Sequence, residues 1–282
     1  MMEDQKQRYN ALFSTRIGAR QVEAMRKIIE KDESDIRASY AVSTDWISSN
    51  DFIELILNDS IFILELSFKH WENIPLSQRP STSVAIAVAD NDLTVDNKYF
   101  TSMVIVDLIM LENQIPYFLL QKLFDSITLY LPGTPTLYDL ILNLFSLDGI
   151  TGGMDLNFKH FTDVYRCVYE KTIDANERGN RASAKNKHNA DKLSRSGVKL
   201  QILRAGRSLA VSFGGGCLSM PIFPANGSSD IILRNVIAYE QCHDPDNAFT
   251  SEYIYLMYSL VTTDKDVELL TASGINNIII LN

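Results

Sequence analysis

Residues 52–68, FIELILNDSIFILELSF, constrain this chain more than any other stretch. Phe52, Ile53, Leu55, Ile56 and Leu57, then Ile61, Phe62, Ile63, Leu64 and Leu66, leave almost no polar face on a helix. Such a helix has to be surrounded, so it belongs at the centre of a core, and Ser48-Ser49-Asn50-Asp51 supplies cap candidates at its start. With 282 residues the chain is long enough to surround it, as one large domain or two moderate ones.

The flanking sequence supplies partners for that helix. Tyr9, Leu12, Phe13 and Ile17, then Val22, Met25, Ile28 and Ile29, recur at three and four spacing within residues 3–37, and Gly18 divides the stretch into two amphipathic helices. Residues 73–99, with Pro75, Pro80 and Asp90-Asn91-Asp92, read as a surface loop. Helix resumes near Ser102, ends near Asn113, and restarts with Pro116 as its first residue, because proline disfavours helix at the residue before it. Further helices are expected over 137–147 and 158–173, with a glycine-marked loop between them. After Gly197 the apolar period changes to two: Val198, Leu200 and Ile202 alternate with polar neighbours, as do Leu209, Val211 and Phe213. Helices then follow over 231–241, 249–261 and 264–272. The fold class is α+β, mainly α-helical, with a small antiparallel β element around residues 198–223. The organisation read here is a single domain, 1–282: a helical part (3–173), a basic loop (174–190), and a small sheet plus helices (191–282).

Charge narrows the function classes. A net charge of −9 argues against a nucleic-acid binder. Residues 171–207 run the other way, with ten bases against three acids, or +7, which leaves −16 on the remainder. Residues 174–190 have almost no large apolar side chain and are expected to be mobile. Arg178, Arg181, Lys185 and Lys187 make this loop a candidate docking element for an acidic protein face, with weak contact to an anionic membrane surface as a further use. Nucleic acid fits poorly here too, since the stretch carries no aromatic residue for base stacking. Three cysteines make no stapling framework, so a reducing compartment is the simpler reading. No signal peptide is visible, and no apolar run approaches the roughly 20 residues of a spanning helix, so a soluble chain, cytoplasmic or peripheral, is expected.

Catalytic patterns are sparse. Gly214-Gly215-Gly216 is followed by neither lysine nor helix, and reads as a hairpin turn rather than a phosphate loop. His160 and Cys167 could share a helix face, and Cys242-His243 are adjacent, but no zinc-type spacing is present; no cofactor or metal is expected. No nucleophile elbow or HExxH occurs. Glu65, Asp107 and Glu112 stand in strongly apolar helical runs, where a buried carboxylate has to be paired. For Glu112 the expected role is structural: with Asn113 and Gln114 it satisfies the break before Pro116, while Ile115 and Phe118 anchor the restart in the core.

The stretch from Met103 to Phe124, MVIVDLIMLENQIPYFLLQKLF, resembles the hallmark of a large plant family known as domain of unknown function 247, and Leu111-Glu112-Asn113-Gln114-Ile115-Pro116 is its most specific string. Four further blocks resemble the family in the same order: Phe52–Ser67, Asp191–Leu200, Ile232–Cys242 (ILRNVIAYEQC) and Asp266–Ile275 (DVELLTASGI). Family members usually carry an N-terminal segment and a C-terminal membrane-spanning helix that this sequence does not show. The resemblance implies a plant protein with no established enzymatic activity, and some relatives are implicated in self-incompatibility in grasses or in growth and defence. The expectation is therefore a non-enzymatic recognition or signalling module acting through protein partners. The alternative is an enzyme whose site is assembled from distant residues.

Overall fold

The computed structural model describes residues 2–74, 98–147, 156–171, 188–203, 209–221 and 227–275. The described chain is mainly helical with one small sheet, as the periodicity indicates. It forms two compact units: residues 1–108 with 114–149, and residues 109–113 with 150–282.

In the first unit, α1 (Met2–Ile17) and α2 (Ala19–Ala38) meet at Gly18, whose φ of 90° is open to glycine but strained for other residues. Both pack on α3 (Ser49–Glu72), as do α5 (Tyr117–Ile127) and α6 (Leu137–Leu144). The Ser48 side chain caps α3 by accepting the N–H of Asp51. From Ser60 to Lys69 every residue of α3 is buried, so the helix that is apolar all round is indeed the one surrounded. Tyr9 packs on Phe62, and Phe13 stacks on Phe68, with ring centroids 5.1 and 6.5 Å apart.

Helix α4 (Lys98–Ile109) ends earlier than the sequence suggests, and Leu111–Asn113 forms a 3-10 turn. Pro116 is the N-cap of α5 rather than its first helical residue, and the backbone N–H of Leu119 bonds to its carbonyl at 3.1 Å. Two hydrogen bonds account for the shortened helix. The N–H of Leu111 donates to Oδ1 of Asn235 (2.9 Å) and the Thr162 hydroxyl to the carbonyl of Ile109 (2.7 Å), so residues 109–113 are held by the second unit's own elements.

In the second unit, α7 (Phe161–Lys171) packs with α9 (Gly227–His243) and α10 (Phe249–Leu260), although it lies on the helical side of the basic stretch in sequence. The sheet has the order β1 (Lys199–Leu203), β3 (Cys217–Pro221), β2 (Ser212–Gly214). Strands β2 and β3 form the expected hairpin around Gly215 and Gly216, at φ 57° and 76°, a pair of positive values that suits a two-residue primed turn. The expectation of purely antiparallel pairing does not extend to β1, which runs parallel to β3 with Lys199 opposite Cys217, so the sheet is mixed. One face of it packs, through Leu200, Ile202, Leu218 and Met220, on α8 (Ala190–Arg195), α10 and α11 (Asp264–Ala272). The sequence assigns residues 188–190 to the basic loop; instead Asn189 caps α8 and Ala190 is fully buried.

Candidate functional site

Polar side chains that fold into a core must find partners there, and this chain's buried acids do. In the first unit, Glu65 on α3 is 1% exposed. Arg16 from the end of α1 grips it in a two-point fork, Nε to Oε2 at 2.9 Å and Nη2 to Oε1 at 3.0 Å, and also donates from Nη1 to Glu72 Oε1 at 2.6 Å. Burial pushes the Glu65 carboxyl up, Arg16 pulls it back, and neighbouring Glu72 adds to the rise. The guanidinium also lies 5.3 Å from the Phe68 ring centroid. Its four side-chain hydrogen bonds all go to Glu65 and Glu72 on α3, so this is a structural clamp.

Asp163, Glu240 and Asp266 are the buried acids of the second unit, and each serves a helix start. Asp163 Oδ2 accepts the N–H of Lys159 (2.9 Å) ahead of α7, while Oδ1 accepts from Arg166 Nε (2.6 Å). Glu240 on α9 accepts the N–H groups of Thr250 and Ser251 at 2.9 Å each, two of the orphan donors that open α10. Asp266 accepts from the N–H groups of Asp191 (2.8 Å), Thr262 (3.1 Å) and Thr263 (2.8 Å), so one carboxylate caps both α8 and α11. Burial alone would raise its pKa; the Asp191 N–H, the Thr263 hydroxyl and the Thr262 donors outweigh it and hold the carboxyl well below the usual range.

The one described place where histidines converge with other reactive groups is also in this unit. His160 precedes α7, and its Nδ1 faces the N–H of Asp163 at 3.4 Å. Its ring meets Tyr239 edge-on at 4.6 Å, and Tyr239 stacks on His243 at 4.5 Å. Burial is the main cause that lowers the His160 pKa to about 4; Asp163 opposes it, and His243, Lys159 and Arg166 act with it. Cys167, one turn beyond Asp163, is buried and its thiol is pushed up to about 12, first by burial and then by the Asp163 charge. A neutral histidine and a protonated thiol do not make a nucleophile pair at neutral pH. Among the described residues no group of three or more His, Cys, Asp or Glu side chains could hold a metal ion.

The sequence-derived site residues are distributed differently from these clusters. Ile115 and Pro116 are buried, and Gln114 closes the break by donating from Nε2 to the Leu108 carbonyl at 2.8 Å. Glu112 and Asn113 are exposed on the 3-10 turn, Phe118 is exposed on α5, and Asp107 is exposed on α4. The closing role expected of Glu112 thus falls to Gln114, because the helix ends before the carboxylate can turn inward. Arg178, Arg181, Lys185 and Lys187 lie outside the described residues, as do 75–97 of the expected surface loop. Asp163, Glu240 and Arg16 went unnoticed in the sequence, and no local signal marks them. Asp266 had one, since Thr263-x-x-Asp266 before an apolar run is a capping pattern, and both of its bonds are present.

A helix-rich α+β chain whose buried acids secure its own helix ends is the class these features define. The chain belongs to the plant protein family of unknown function DUF247, whose model matches residues 1–279. It is similar to the UPF0481 protein At3g47200 of Arabidopsis thaliana, 24% identical over 298 positions, covering 96% of this chain and 60% of that protein. The chain therefore spans about three fifths of the length of that relative. No solved structure matches it. Three of the blocks that carry the family resemblance contain Glu65, Glu240 and Asp266. Among the described residues, no helix is long and apolar enough to cross a membrane.

Proposed function

We propose that this chain is a non-enzymatic recognition or signalling module that works through protein partners. The observation that supports this reading is the state of its buried acids. Glu65, Asp163, Glu240 and Asp266 all have their acceptor positions directed at an arginine or at helix-start donors, which leaves them committed to holding the fold rather than to reacting with a substrate. A preorganised surface adds to it. Arg37 donates to the carbonyls of Thr44 (2.6 Å) and Ile47 (3.1 Å) and lies 3.9 Å over the Phe52 ring. The loop it braces presents Trp46 at 82% exposure, and an exposed tryptophan suits a protein contact.

The test is affinity capture with this chain as bait from pollen, stigma and leaf tissue, with excess untagged chain as competitor. Recovery of a protein in saturable, competable amounts is expected. A second reading, an enzyme assembled from distant residues, would begin at His160 and Tyr239. Turnover of an ester or phosphate ester substrate that disappears in His160→Asn, with no competable partner recovered, would overturn the module reading in its favour.

A further inference from the structure

Strand β1 lies at the edge of the sheet among the described residues. The sheet order β1-β3-β2 leaves β1 with a strand neighbour on one side only among the described residues. Lys199 donates its N–H to the Gly216 carbonyl at 2.9 Å, across the parallel ladder with β3. In a parallel ladder successive residues direct their N–H and C=O groups to opposite sides, so Lys199, Gln201 and Leu203 serve β3 while Leu200 and Ile202 present theirs to the open side. The edge is held in place from its face. Leu200 and Ile202 pack on the cluster of Ala190, Leu260, Leu270 and Ile275, and a Cβ at Gly274 would come within 2.8 Å of Ile202 Cδ1.

Residues 199–203 contain neither proline nor a bulge, two of the devices that blunt such an edge. On the far side of the sheet β2 is only three residues long, which makes β1 the edge with room for a ladder. Charge selects the occupant. Lys192 and Lys199 are exposed and make no ion pair among the described residues, whereas Asp191, the acid beside them, is already held by Arg195 (2.6 Å) and Lys265 (2.7 Å). A like-charged copy of β1 is disfavoured on this edge and an acidic strand is favoured.

We propose that β1 accepts an extended acidic segment of a partner protein as an added strand, with the main-chain groups of Leu200 and Ile202 supplying the bonds and Lys199 and Lys192 the charge preference. This rests on the reading of the chain as a module acting through protein partners.

The probe is a capped, fluorescently labelled peptide of alternating Glu and Val, titrated with the full chain by anisotropy, together with two isomers N-methylated at one or the other set of alternate amides. Saturable binding is expected, weakening as salt rises. One isomer should bind like the parent and the other at least about tenfold more weakly, a loss of about 1.4 kcal/mol. Lys199→Glu, with an unchanged circular dichroism spectrum, should weaken the parent peptide about fivefold or more. Absence of saturable binding to about 1 mM would overturn the proposal. So would equal affinity of the two isomers, an unaltered Kd in Lys199→Glu, binding to anionic vesicles in place of peptide, or dimerisation of the chain through β1. If Lys199→Glu captures the tissue partner as the parent chain does, the edge proposal fails and the module reading stands. If the parent chain captures none, the module reading itself fails.

Discussion

Glu240 and Thr250 are ten residues apart, and the carboxylate Oε1 of the first accepts the backbone N–H of the second at 2.9 Å in a fully buried setting. The carboxylate's other oxygen takes the N–H and the hydroxyl of Ser251, both at 2.9 Å. One acid near the end of α9 therefore opens α10 and sets the turn between them. Replacing it by alanine leaves buried donors without acceptors. Glu240→Ala should cost about 3 kcal/mol, within the range for bonds to a charged group plus bared donors, and should lower the Tm by several degrees. A Tm within about 1 °C of the parent would refute this role.

Arg16 and Glu65 allow a sharper comparison. Arg16→Met leaves Glu65 and Glu72 facing each other across a buried site and should destabilise by about 3–5 kcal/mol. The double change Arg16→Met with Glu65→Leu removes the bare charge at Glu65 as well and should recover a large part of that loss. Urea midpoints of the two variants measure this directly. Equal destabilisation of single and double variants would show that packing, not the buried charge, dominates.

The pH dependence has two windows. The His160 pKa is lowered to about 4 in the fold, so below pH 6.5 the unfolded chain takes up a proton that the folded chain refuses. Stability should therefore decline as pH falls from 6.5 towards 4, by about 2 kcal/mol over that window. Asp266 acts lower, because its depressed carboxyl contributes stability above the ordinary carboxylate range that is lost as pH falls below it. His160→Asn keeps an N-cap acceptor without a titrating group. Its urea midpoint should be flatter than the parent's between pH 6.5 and 4.5; an identical slope would assign the effect elsewhere.

The family's signature string yields opposite outcomes at adjacent positions. Glu112→Ala should change stability by less than about 0.5 kcal/mol, since the side chain is exposed on its 3-10 turn. Ile115→Ala, at a site 4% exposed, should cost about 2–5 kcal/mol. Thermal melts of the two proteins would decide between this distribution and a string that works through its acid.

Thiol chemistry offers a check on the interior of the second unit. Cys242 is exposed, while burial pushes the Cys167 thiol up to about 12. Iodoacetamide at pH 8 should label Cys242 well before Cys167, as read by peptide mass spectrometry. Early labelling of Cys167 would mean that α7 opens readily.

The two kinds of information in this protein divide along a physical line. Residues 52–68 announced a central helix because apolar side chains on every face leave only one stable environment, and Gly18 and the alternation after Gly197 marked their boundaries through local backbone preference. Such signals are carried within a turn or a strand, so they were legible without neighbours. The partners of the buried acids were not. Glu65 stood out as an acid in an apolar run, but Arg16 lies 49 residues away and only the packing of α1 on α3 brings its guanidinium to 2.9 Å. Glu112 stood out on the same grounds and came to the surface, because the carbonyl of Ile109 and the N–H of Leu111 are claimed by Thr162 and Asn235 and the helix stops there. Strand β1 alternates as any strand does, yet its parallel pairing with β3 follows from how the chain returns to it after the β2–β3 hairpin. Local composition determined which elements exist. Which polar groups meet, and which strands pair, depended on long-range closure of the chain, where each hydrogen bond has to be satisfied in three dimensions.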